Sequence, residues 1–320
     1  MQVSADLLKA KAYEAGQRIR ALRLAQLDAR HDDLSRGIAL WLRGQADALP
    51  ALALRRNDPR LVRLALRLGC KVDVEACRCR LRDRWLQLEP DNAAAWLVQW
   101  ERFSKEDPSL SPGERERQMD ALLAGMAQAT RHDRGIAEPM QAVLTASGPA
   151  PGGLHATVEM LEWHYLPDAA PRTPELLWFE HCRPPSSPTG SVRARACVAA
   201  AHAIWNAEPV LLMDALSAFA VVRQLGEHNN PPWDLRERRL DALMTMLLRQ
   251  SSSTAEFMVR GTACQPDPVL QDFHRQWLME GDVPALLAEI RRQGLDESEL
   301  AAEHRARMAQ SNAAASAASR

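Results

Sequence analysis

Between Asn57 and Phe103 the apolar residues recur every three to four positions and are interrupted at Gly69 and at Pro90-Asp91-Asn92. A run of short, closely connected helices satisfies that pattern. Asp58 can accept hydrogen bonds from the free N–H groups of a first helical turn, and Pro59, with no N–H to lose, suits the first helical position. Leu61, Leu64, Ala65 and Leu68 then form one apolar face, widened by Val62 and Leu66, so that Arg56, Arg60, Arg63 and Arg67 share a narrow polar stripe. A helix with so wide an apolar arc needs neighbours on several sides. Gly69 is a stop, Val74 to Leu88 a return helix ended by Pro90, and Asp91 or Asn92 a cap for a third helix.

The rest of the chain reads in the same way. Ser4 caps a helix to about Arg30, a second runs from Leu34 to about Leu49 before Pro50, and Ser111-Pro112-Gly113-Glu114 is a capping box. Ser147 to Gly153 is the clearest linker, which divides a helical region 1–146 from a second one, 154–309. In the second, Trp233 to Gln250 is a long helix ended by Ser251 to Ser253, followed by four short ones. Residues 310–320 are almost all Ala, Ser and Asn, which bury little apolar surface against ordering entropy, and are expected to form a disordered tail. Leu and Ala dominate the apolar residues and alternating strand patterns are scarce, so the expected class is all-α.

Leu88-Glu89-Pro90-Asp91-Asn92-Ala93-Ala94-Ala95-Trp96 resembles the junction between tetratricopeptide (TPR) repeats, where a Pro closes one helix pair and a Trp opens the next. Phe103 falls where that family has an aromatic. Trp100 stands where it has a small residue, and Arg78 and Trp85 where it has alanine. Pro59 to Pro90 is 31 residues (90 − 59), near the TPR period of about 34, and the resemblance covers about one sixth of the chain. It implies antiparallel helix pairs stacked as a TPR-like α-solenoid, in one array or two lobes, and a scaffold that binds a protein or peptide.

Forty basic against 41 acidic residues give a net charge of −1, without the global signature of a nucleic-acid binder. No apolar run approaches the roughly 18 residues of a membrane span, and Met1 to Arg20 lacks the apolar core of a secretory signal. The expected location is cytoplasmic, or periplasmic if a leader has been removed. Six cysteines stand at 70, 77, 79, 182, 197 and 264. Reduced, they are small apolar fillers; oxidised, Cys182 and Cys197 can pair across a Pro-rich loop, and Cys70 with Cys77 or Cys79 across a helix-to-helix turn.

The candidate contact for an acidic partner is the basic surface of Arg56, Arg60, Arg63, Arg67, Arg78 and Arg82, against the alternative that these arginines pair with acids of the same chain. Cys70, Cys77 and Cys79 lack a fourth ligand for zinc. His155, Glu159, Glu162 and His164 concentrate ionisable groups on one segment, the only footing for a hydrolytic enzyme, but no zinc-protease, phosphate-loop or nucleophile-elbow motif accompanies them. The expectation is therefore a non-enzymatic protein-interaction scaffold without cofactor, catalytic residue or metal. The second expectation is a disulfide-stabilised envelope accessory or neutralising protein.

Overall fold

A computed structural model describes residues 5–103, 110–147, 173–188, 190–207, 211–260 and 268–318. The protein is all-α: among the described residues there is no strand, only an isolated bridge between Asn92 and Arg131. The helices of the first half are α1 (Ala5–Asp28), α2 (Asp33–Leu42), α3 (Leu49–Arg55), α4 (Pro59–Leu68), α5 (Val74–Leu88), α6 (Ala93–Leu97), α7 (Pro112–Gln128) and α8 (Glu138–Ser147). Those of the second are α9 (Thr173–His181), α10 (Val192–Trp205), α11 (Leu212–Gln224), α12 (Trp233–Arg260), α13 (Pro268–Glu280), α14 (Asp282–Arg292) and α15 (Glu297–Ala318).

Local chemistry sets most of these starts. Asp58 accepts from the Arg60 N–H ahead of Pro59, Asn92 from the Ala94 N–H, and Ser111 and Glu114 cap each other reciprocally. Three expected segments differ. The helix read from Leu34 to Leu49 stops at Leu42, because Gly44 takes a left-handed conformation (φ 75°), and Pro50 opens α3 instead of following an end. Ser251 to Ser253 do not end α12, which runs on to Arg260. The run from 310, read as a disordered tail, continues α15 to Ala318. Alanine's helix propensity extends that helix although its side chains from Arg305 to Ser316 are exposed.

Two apolar cores result. The first gathers Leu27, Ile38, Leu49, Leu61, Leu64, Leu81 and Trp85 from α1 to α5, with Val143 of α8. The second gathers Trp100, Leu123, Trp178, Ile204, Val222, Trp233 and Leu243. Helix α6 serves both: Ala94 and Ala95 face the first core while Ala93 and Leu97 face the second. Its small side chains let helices close on either side. Helix α7, on the N-terminal side of the expected linker, packs with α10, so the cores meet at α6. The linker residues 148–153 themselves lie outside the described residues.

Candidate functional site

The six arginines of the predicted basic surface have different fates. Arg56 pairs with Asp33 at 3.2 Å and Arg60 with Asp58 at 2.8 Å, both at the surface. Arg63, 3% exposed, is held by Glu89 and Glu138, the latter 75 residues away in sequence. Arg78 and Arg82 share Glu101, each at 2.8 Å, and Arg82 also reaches Glu75. Among the described residues only Arg67 of the six meets no carboxylate; its guanidinium donates to the Arg134 carbonyl. Arg63, Arg67, Arg78 and Arg82 nonetheless converge, with Arg134, on the walls of one small pocket.

The structure carries two disulfides, Cys70–Cys77 and Cys182–Cys197, and Cys79 is free. Cys264 and the His155 to His164 segment lie outside the described residues. Among the described residues no group of three metal-ligating side chains forms, and no helix is long and apolar enough to cross a membrane.

A larger site lies in the second half. Helices α10 to α14 enclose a groove of about 760 Å³, within the usual range for ligand sites. Trp205, Leu243, Met279, Val283 and Leu287 supply its apolar wall. Its charged lining is Arg236, Arg239 and Arg291 against Glu280, and Arg239 is itself paired with Glu297 at 3.3 Å. A second hollow of about 500 Å³ shares Gln276, Met279 and Glu280 with it, so the two lie on either side of one ridge of α13. Gln141 of α8 donates to the Met279 carbonyl at 2.6 Å and fixes that ridge to the first half.

Arg236 is the distinctive group. Its guanidinium lies 4.3 Å from the centroid of Trp233, one helical turn earlier, and 5.4 Å from that of Trp205, the last residue of α10. The two indoles meet edge to face at 5.9 Å. Among the described residues no carboxylate neutralises Arg236: its side-chain contacts there are Asn206 Oδ1 at 2.6 Å and His202 Nδ1 at 2.9 Å. Burial without a counter-charge pulls its pKa down to about 10.

The His202 contact is also imperfect. Trp233 Nε1–H, which can only donate, faces His202 Nε2 at 3.2 Å, while the Arg236 N–H faces Nδ1. A neutral imidazole carries one proton and so can accept at only one nitrogen. Whichever tautomer is present, one of the two contacts sets donor against donor. Burial and then Arg236 depress the His202 pKa, which keeps the ring neutral and the mismatch in place. Arg236 is thus held by aromatic faces and one amide oxygen, with N–H groups left for an incoming acceptor.

No family model, curated protein or solved structure matches this chain.

Sequence reasoning did not reach the groove. One signal was present: Trp233 and Arg236 are three apart on a helix and therefore neighbours, and no acid stands at 232 or 240 to neutralise the arginine. Trp205, 31 residues upstream, comes in only through the packing of α10 on α11 and of α11 on α12.

Proposed function

We propose that this protein is a non-enzymatic helical scaffold, built of TPR-like stacked helix pairs, that holds an acidic and partly apolar segment of a partner protein in the groove between α10 and α14. Arg236, an un-neutralised guanidinium between Trp205 and Trp233, is the observation that carries the reading. A partner carboxylate would replace the mismatched His202 contact with a charge-assisted bond, and aliphatic side chains beside it would cover Leu243, Val283 and Leu287. The depression on either side of the α13 ridge suits an extended segment better than a compact ligand.

Immobilised protein, challenged with native lysate and eluted in salt steps beside an Arg236→Gln control, tests this. Retention of one protein by wild type, released by salt and by an acidic competitor peptide and absent from the control, supports the reading. Equal retention by both rejects the groove.

A second reading is favoured by Cys70–Cys77 and Cys182–Cys197. Disulfides persist in oxidising compartments, so the scaffold would work in the periplasm as an envelope accessory or neutralising protein. Thiol labelling of the protein in intact cells, without reductant, separates the readings: four protected cysteines favour the envelope, and none the cytoplasm.

A further inference from the structure

The arginine pocket in the first half is a second site of different scale. It lies where α4 (Leu66, Arg67), α5 (Arg82), the turn after α6 (Val98) and the start of α9 (Glu175) come together, and its volume is about 80 Å³. At roughly 10–15 Å³ for each water-sized position, that admits a ligand of about six non-hydrogen atoms.

Three polar groups in its walls are incompletely used. Arg67 is partly exposed and meets no carboxylate among the described residues; burial is the main cause that pulls its pKa down to about 10, with Arg63 and Arg134 adding to the fall against Glu138. Arg82 is 1% exposed and both its terminal nitrogens are bonded, yet its Nε–H is buried without an acceptor. Glu175 gives one oxygen to Arg134 while its Oε2 is buried with no donor. Unsatisfied buried groups of this kind are costly, and the residues that carry the donor, the acceptor and the uncompensated cation all line one cavity.

We infer that this pocket binds a small hydroxylated carboxylate, of the 2-hydroxy acid class, with its carboxylate on Arg67 and Arg82 and its hydroxyl donating to Glu175 Oε2. One negative charge neutralises the one lining arginine that lacks a counter-ion among the described residues. The hydroxyl answers the one orphaned acceptor. Leu66, Leu97, Val98 and Ile136 leave room for a short alkyl group and offer nothing to a second charge. A dianion would bring its extra charge beside Glu101 and Glu175, which also line the pocket. This site shares no residue with the Arg236 groove, so either proposal stands if the other fails.

Calorimetric titration of the intact, oxidised protein with lactate, propanoate and inorganic phosphate tests it, with Arg67→Met and Glu175→Gln as variants and unfolding curves to verify that each folds. Lactate is expected to bind at least tenfold more tightly than propanoate or phosphate. Arg67→Met weakens lactate at least tenfold, whereas Glu175→Gln reduces lactate to the level of propanoate and leaves propanoate unchanged. Absence of lactate binding, equal binding of lactate and propanoate, or an undiminished affinity in Arg67→Met overturns the assignment. Preference for phosphate overturns the carboxylate class.

Discussion

Asp282 gives a pH test whose sign follows from its surroundings. It opens α14, and its Oδ1 accepts from the Leu212 N–H at 2.9 Å and the Val283 N–H at 2.8 Å, tying the start of α11 to α14. Burial is the main cause that pushes its pKa up to about 6, and the negative charge of Asp214 adds to it. An unfolded Asp titrates near 3.9, so ionisation above pH 6 costs the folded state about 2 units, or about 3 kcal/mol as an upper figure. The sign is that of a raised acid: the penalty is absent below about pH 4, grows through the interval, and is complete above pH 6. Asp282→Asn keeps an oxygen acceptor for both N–H groups and removes the charge. In urea titrations the variant should be more stable than wild type by about 1–3 kcal/mol at pH 7.5, with unchanged slope, and the difference should vanish toward pH 4. A variant less stable at pH 7.5, or a difference independent of pH, would refute the argument that the carboxylate is tolerated for its oxygen and not for its charge.

Three further outcomes are open to the same denaturation assay. Gly125 of α7 lies against Trp96, and a Cβ there would overlap the six-membered ring; Gly125→Ala should lose about 1–3 kcal/mol, and wild-type stability would show that the contact yields freely. Glu89 accepts from Trp85 Nε1 at 2.6 Å, from Asn92 Nδ2 at 3.1 Å and from buried Arg63, so Glu89→Ala should cost about 3–5 kcal/mol, while a loss below about 1 kcal/mol would mean that Glu138 suffices for Arg63. Replacing Cys182 and Cys197 together by Ala opens a 15-residue loop and should cost about 3 kcal/mol; no loss would mean that the bridge does not constrain the unfolded chain.

Helix starts were legible in the sequence because they depend on one or two adjacent residues. Asp58 with Pro59, Asn92, and Ser111 with Glu114 act within a single turn. Pro50 misled because the same residue stops one helix and opens another, and the choice between them was made by Gly44. Ser251 to Ser253 misled because three weakly unfavourable residues do not break a helix. The partners of the arginine stripe were not legible. Which carboxylate meets Arg63 depends on folding residue 138 back onto α4, and neither periodicity nor spacing encodes a separation of 75 residues. That α6, with Ala93-Ala94-Ala95, serves two cores at once was not legible, because it depends on which helices close on either side. The groove was hidden for the same reason, since it exists only once α10 to α14 have packed together, with Gln141 of α8 beside them.

The most direct test of the account is calorimetric titration of a capped peptide of alternating Glu and Leu into wild type and Arg236→Gln, with a Lys-Leu peptide of the same length as control. Saturable binding of the acidic peptide alone, weakened at least tenfold by Arg236→Gln (about 1.4 kcal/mol) and by raised salt, is the predicted result. No binding, or equal affinity in wild type and variant, would contradict the claim that the Trp205–Arg236–Trp233 groove is a docking site for an acidic partner.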